Sequence, residues 1–391
     1  MCNWHESITT ATTLTPVGTN THINTPEVHA AGVLFFLSQS ITMKIIVDTL
    51  GGDKSPSANV EGAVLATERL DDVSLILVGD EAVIKSELDR LGYKGDRIET
   101  VHAPDVITGE DKPTDAIRLK KDSSMIRSIK MLREDEDVSA LVSTGATGAL
   151  VAASTLRIGR IRGIRRPAFC PIMPTMTGGI VGICDSGANV DIISSQLVEF
   201  AIMGSRYLEC AYGIERPRVA LLNIGVETEK GDELRKAAFP LLSSVEDINF
   251  VGNMESRDLL SGKYDLIVCD GFSGNVLTKT TEGVALELLK KIKKDIMSKP
   301  KYKLGALFMK QMFMEEKEFM NYQNYGGSVL LGCEKTIVKG HGSSDSAAVA
   351  KCIEQAYRME KNGIKDKIRE SVNAYSMKQE TQKGEGSCLN Q

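Results

Sequence analysis

From Lys44 onward, short apolar runs alternate with glycine-bearing loops and then with helix-spaced apolar positions. KIIVDTLGGD at 44–53 leads into a helical set holding Val60, Val64 and Leu65. SLILVGD at 74–80 is followed by EAVIKSELDRLG, and SALVSTGATG at 139–148 by ALVAASTLRIG. GIVGICDSGAN at 179–189 precedes a long helix through Phe200, and RVALLNIG (218–225) and YDLIVCDGFSGN (264–275) repeat the arrangement. Strands that are apolar at successive positions are buried on both faces. The pattern therefore predicts an α/β fold with a mainly parallel sheet and helices on both faces. Ligands of such sheets bind beyond the carboxyl ends of the strands, where these loops lie.

Three segments depart from this alternation. In KYKLGALFMKQMFMEEKEFM (301–320), Leu304, Leu307, Phe308, Met312 and Phe313 fall near one helical face, with Lys301, Lys303 and Lys310 close by. That pattern suits a core helix. It equally suits a membrane-touching or dimerising amphipathic hairpin, placed at about 290–322, because apolar residues crowd beyond one face and lysines flank them. Residues 1–42 are threonine-rich and contain no lysine or arginine, and their longest apolar stretch, VLFFL at 33–37, is short for a signal peptide. They are expected to form a disordered extension upstream of a functional start at Met43. Residues 376–391 are polar and are expected to fray as a tail, leaving 43–375 as the folded unit.

Composition narrows the function classes. A hydrophobic share of 42% with 25% charged residues describes a globular chain, and a net charge of -5 argues against nucleic acid as the partner. No run approaches the roughly 18 apolar residues of a membrane span. The eight cysteines show no CxxC spacing and several lie in strand-like runs, which predicts reduced, buried thiols. The five histidines have no metal-ligand context, so no metal is expected, and no cofactor is expected either.

The loops carry the candidate chemistry. STGATG (Ser143–Gly148) joins an apolar strand to a small-residue helix, so backbone N–H groups and the helix N-terminus could converge on an anion. It has neither the lysine of a Walker loop nor the GxGxxG spacing, and tight strand–helix packing would explain its glycines equally well. GFSGN (271–275) misses the GxSxG nucleophile elbow by one position. KKDSSM (120–125) could neutralise a phosphate through Lys120 or Lys121, or could be a solvated face. LRIGRIRGIRRP (156–167) holds five arginines, a density that suits an acidic protein or phosphate. In VKGHGSSDSAAVAKC (338–352), His341 stands between two glycines, ahead of three good N-cap residues, Ser343, Ser344 and Asp345.

Taken in order, these motifs resemble the phosphate acyltransferase family of bacterial phospholipid synthesis. The resemblance rests on IVDTLGGD (46–53), KKDSSM, STGATGAL (143–150), RRPA (165–168), DSGANVD (185–191) and LLNIGVETEKG (221–231). It continues through INFVGNMESRD (248–258), CDGFSGNVLTKT (269–280), YGGSVLLG (325–332) and KGHGSSDSAAV (339–349), spanning Met43 to about Tyr357. GGDKSP at 51–56 departs from the family's usual GGDHAP, which leaves His341 as the stronger histidine candidate. The resemblance implies a Rossmann-like fold similar to isocitrate and isopropylmalate dehydrogenases and phosphotransacetylase, in a homodimer. It implies transfer of a long-chain acyl group from acyl–acyl carrier protein to inorganic phosphate, the acyl phosphate then serving a membrane acyltransferase that acylates glycerol 3-phosphate. The cytoplasmic enzyme would touch the membrane surface peripherally through the hairpin.

Phosphate attacking a thioester needs an anion cradle and donors for the developing oxyanion, and no covalent enzyme intermediate. The expected cradle is Thr144, Gly145, Thr147 and Gly148 with Ser343 and Ser344. Lys121 or Lys120 would neutralise charge, His341 would orient phosphate or protonate the leaving thiolate, and Arg165 and Arg166 would bind the acidic carrier protein. Two alternatives stay open: a phosphotransacetylase-like enzyme using acyl-coenzyme A, and a non-catalytic membrane scaffold for lipid synthesis.

Overall fold

The computed structural model describes residues 43–319 and 322–388, so the expected N-terminal extension lies outside the described residues. The chain opens with β1 (Met43–Asp48), α1 (Ser57–Arg69), β2 (Val73–Gly79), α2 (Glu81–Arg90) and β3 (Ile98–His102). Helices α3 (Pro113–Leu119) and α4 (Ser124–Glu134) lead to β4 (Val138–Ser143) and α5 (Thr147–Arg157). Two three-residue strands, β5 (Ala168–Cys170) and β6 (Ile172–Pro174), flank Pro171. Next come β7 (Ile180–Cys184), α6 (Ser194–Tyr212), β8 (Arg218–Asn223), α7 (Glu233–Ser243), β9 (Asn249–Glu255) and β10 (Leu266–Val268). A helical stretch, α8 (Gly271–Ser298), α9 (Pro300–Phe308) and α10 (Lys310–Phe319), precedes β11 (Ser328–Leu331), β12 (Thr336–Lys339), α11 (Ser346–Lys361) and α12 (Ile364–Cys388).

The strands form two sheets rather than the single one expected. One has the order β3-β2-β1-β4-β12-β11-β5 and the other β6-β7-β10-β8-β9. Pairing is parallel except that β11 runs against both its neighbours and β6 against β7. The chain changes sheets at Pro171, which has no N–H to continue a ladder. Strands this short carry no periodicity to read. The parallel strands are the ones the apolar runs predicted: Ile45, Ile46 and Val47 of β1 and Leu75 and Leu77 of β2 are wholly buried. Helix α6 is apolar on nearly every side, and Phe200, Met203 and Tyr207 are fully enclosed.

Register sets up the site. In the larger sheet Asp48 pairs with Ser143 and Ser143 with Lys339, so β1, β4 and β12 end level with one another. Three polar residues thus stand side by side at the carboxyl edge.

At the C-terminal end, α12 runs through Ser376 as far as Cys388. In the helical hairpin region, α9 and α10 are separated by Met309 alone. Leu304, Leu307, Phe308 and Met312 are exposed, with Phe308 at 83%, and Phe313 is half-buried. Leu304, Leu307, Phe308 and Met312 therefore do not face the core. Among the described residues, no helix is long and apolar enough to cross a membrane. Six cysteines there, including Cys184, Cys269 and Cys352, are buried free thiols.

Candidate active site

The carboxyl edge of the larger sheet faces the N-terminal half of α8 across a cleft of about 170 Å³. Its floor is the inter-sheet crossover, Phe169 to Met173. One wall comes from the end of β12 and the following loop: Lys339, Gly340, His341 and Ser344, with Thr147 from the start of α5. The opposite wall is Ser186 and the α8 residues Asn275, Thr278, Lys279 and Glu282. Their spacing places them along a single helical stripe.

Three helices begin near this cleft, and their caps differ. Asp270 caps α8 by accepting from the Ser273 N–H at 2.8 Å, and Asp345 caps α11 by accepting from the Ala348 N–H at 3.0 Å. Each carboxylate occupies its own helix end and opposes a second anion there. Helix α5 starts after Ala146 with no side-chain cap, so its positive end is the one open to an anionic ligand. The opening of α11 is capped by Asp345, while the neighbouring Ser344 lines the cleft.

Lys339 is the buried cation of the cleft. Its ammonium donates to the Thr144 carbonyl at 3.3 Å and to the Gly340 carbonyl. Burial, only partly offset by Asp48 and Asp53, pushes its pKa down to about 8. Asp48 is itself buried, and its Oδ2 accepts from the Ser143 hydroxyl at 2.7 Å. Burial raises the pKa of this carboxyl despite hydrogen bonds from Ser124 and Ser143. Asn59 braces the same layer, donating to the Asp48 carbonyl at 2.8 Å and the Thr144 hydroxyl oxygen at 3.1 Å.

His341 Nδ1 accepts from the Ser343 N–H at 3.2 Å and lies 2.8 Å from the Ser343 hydroxyl. Accepting at Nδ1 places the neutral ring's proton on Nε2. Burial, reinforced by the Lys279 charge, lowers its pKa and favours this neutral donor form. Lys279 pairs with Glu282 at 2.7 Å, so the α8 wall presents both signs of charge.

The predicted residues separate into groups. Thr147, His341 and Ser344 line the cleft. Gly148 lies in the first turn of α5, and Ser343 holds the His341 ring. Thr144 is buried, and the Gly145 N–H donates to the Ser143 hydroxyl at 3.1 Å, so both shape the wall behind the cleft. Gly51, at φ +94°, packs so closely on this loop that a Cβ there would lie 2.8 Å from the Gly145 Cα. Gly148 is also closely packed, since a Cβ there would lie 3.0 Å from Pro113 Cγ.

The two lysines of KKDSSM lie apart from the cleft. Lys120 binds Asp111 at 2.6 Å and the Val106 carbonyl at 3.0 Å, while Lys121 lines a separate hollow with Arg127 and Arg157. Neither lines the cleft of His341. KKD forms the turn into α4, where Ser123 is the cap, and adjacent turn residues point apart. The arginines also lie elsewhere: Arg165 donates to Ser195 at 2.7 Å and pairs with Glu199, and Arg166 is exposed beside it.

The glycines of GFSGN serve packing. A Cβ on Gly274 would fall 2.0 Å from the Asp185 carbonyl oxygen. Asp185 in turn accepts from the N–H groups of Phe169 and Asn189, at 2.9 and 2.6 Å. The DSGAN loop and the start of α8 are thus locked together, which fixes Ser186 against Thr278 at 3.1 Å.

Sequence reasoning missed Lys339, Lys279, Asn275, Glu282 and Ser186. Lys339 carried a usable signal: a lysine ending the apolar strand TIVK just before GHG. The α8 residues carried none, because a polar helical stripe reads the same whether it faces a cleft or solvent.

A family model described as Fatty acid synthesis protein matches residues 43–367. A protein named Phosphate acyltransferase from Clostridioides difficile (strain 630) is 40% identical over 334 residues, covering 85% of this chain and 97% of its own. Its namesake from Clostridium novyi (strain NT) is 43% identical over 330 residues, covering 84% of this chain and 98% of its own. Among solved structures, a phosphotransacetylase from Streptococcus pyogenes superposes with a TM-score of 0.54 at 16% identity, covering 82% of this chain and 94% of that one. The last likeness shows the fold, a Rossmann-like arrangement of parallel strands and flanking helices. By the family match and the identity to its relatives, this chain belongs to the phosphate acyltransferase family and is a transferase.

Proposed function

We propose that the protein transfers a long-chain acyl group from acyl–acyl carrier protein to inorganic phosphate, giving acyl phosphate for acylation of glycerol 3-phosphate. The observation that carries this reading is the convergence of Lys339, His341, Thr147 and Ser344 on one cleft beside the uncapped start of α5. Phosphate is held by the Lys339 charge, the Thr147 and Ser344 hydroxyls and the first N–H groups of α5. A phosphate oxygen attacks the thioester carbonyl carbon, the C–S bond breaks, and the thiolate leaves. The Nε2–H of neutral His341 donates to charge developing in this step. Lys339, buried at the cleft, supplies the compensating cation in surroundings where burial strengthens its charge interactions. Arg165 and Arg166, on an exposed loop after α5, are the proposed contacts for an acidic carrier protein.

Release of carrier-protein thiol from a long-chain acyl–acyl carrier protein, with and without phosphate, tests the reading against acyl-coenzyme A as donor. Phosphate-dependent release favouring the carrier-protein donor is expected. Preference for acyl-coenzyme A would replace it with a phosphotransacetylase-like reading.

The exposed face of α9 and α10, Leu304, Leu307, Phe308 and Met312 beside Lys301 and Lys303, supports peripheral membrane contact by a homodimer. Co-flotation with anionic phospholipid vesicles should weaken by about tenfold in Leu307→Asp/Phe308→Asp. Equal flotation of both proteins would remove this part of the reading. Delivery to a membrane acyl-phosphate:glycerol 3-phosphate acyltransferase would follow from such contact.

A further inference from the structure

The cleft does not end at its polar residues. Met173 and Glu282 also border a second, narrow groove that continues along α8. This groove is lined by Met176, Leu260, Leu286, Leu289 and Phe319, with Ala285 between them. The α8 stripe that is polar at Asn275, Thr278 and Lys279 becomes apolar past Glu282, at Ala285, Leu286 and Leu289. The turn carrying Met176 is tied to the opposite side, its N–H donating to the Leu260 carbonyl at 2.8 Å. Thr281, the remaining polar side chain besides Glu282, turns its hydroxyl back to the Leu277 carbonyl at 2.8 Å. Glu282 is paired with Lys279, on the cleft side.

We infer that this groove is the binding site for the acyl chain, with Ala285, Leu286 and Leu289 setting chain-length preference. The inference rests on the acyl-transfer reading above and deepens it. A thioester carbonyl held at His341 and Lys339 must project its hydrocarbon away from those charges, and the apolar groove begins where the cleft ends. Met176 and Leu286, 59% and 50% exposed, are left for a ligand to cover. From Glu282 to Leu289 the helix advances about 10 Å, which gives the groove the length of a chain segment rather than of a two-carbon acyl group. Each methylene buried there should raise kcat/KM about fourfold until the groove is filled.

The test is Ala285→Trp, which fills the groove midway on a half-buried helical surface, with Leu289→Gln as a second variant that changes polarity with little change in volume. The ratio of kcat/KM for a sixteen-carbon donor to that for a four-carbon donor should fall at least about tenfold in the first and about fivefold in the second, by the per-methylene term. An unchanged ratio in a folded variant, against an unmodified protein that cleaves both donors, would overturn the groove alone. No phosphate-dependent cleavage of any donor by the unmodified protein would overturn the acyl-transfer reading, and the groove assignment with it.

Discussion

Lys339→Met should lower kcat/KM for phosphate-dependent thioester cleavage by about 10³-fold, or about 4 kcal/mol of transition-state stabilisation. The cation sits at the end of β12 level with Ser143, next to the open start of α5, and its side chain is almost fully buried. Methionine preserves most of the volume while removing the charge. The loss should therefore appear in steady-state kinetics of a protein with an unchanged circular dichroism spectrum. The same residue sets a pH dependence with a definite sign. Burial lowers its pKa to about 8, so the charged form is present at neutral pH and is lost as pH rises through that value. Activity should decline above about pH 8 in the unmodified protein, by the loss of that charge, and the methionine variant should lack this decline. A variant within threefold of the unmodified protein, or one that keeps the same alkaline limb, would place the working cation elsewhere.

The second large effect belongs to His341. His341→Ala should cost about 10²-fold in kcat/KM, or roughly 2.7 kcal/mol. The ring is oriented by Ser343, whose N–H and hydroxyl both meet Nδ1, and its lowered pKa keeps the donor tautomer neutral. Ser343→Ala tests the orientation: it removes the hydroxyl but not the N–H. Its loss should be smaller, about tenfold, and should fall on kcat rather than on the KM for phosphate. A loss of only about threefold in His341→Ala would end its catalytic role.

How far this was legible in the chain depends on what made each feature. The parallel strands β1, β2, β4 and β8 were readable because burial on both faces leaves an unbroken apolar run. The division into two sheets was not. It turns on Pro171 between strands of three residues, too short for any period. His341, Ser344 and Thr147 were readable from glycine-rich loops at strand ends, where parallel sheets place ligands. Where Lys120 and Lys121 point was not legible, because charge in a turn gives no direction. Lys120 meets Asp111, and Lys121 faces a different hollow. The buried cation at the cleft is the one that ends an otherwise apolar strand, where tertiary register brings it beside Ser143. The α8 wall required the fold itself, since the contact between Gly274 and the Asp185 carbonyl decides which helical face meets the cleft.

The most direct test of the central claim is to follow thiol release from a long-chain acyl–acyl carrier protein with phosphate present, while trapping product with hydroxylamine. Equal amounts of thiol and acyl hydroxamate, both requiring phosphate, are the expected result. Thiol release accompanied only by free fatty acid, or unaffected by omitting phosphate, would contradict the transfer of an acyl group to phosphate in the Lys339–His341 cleft.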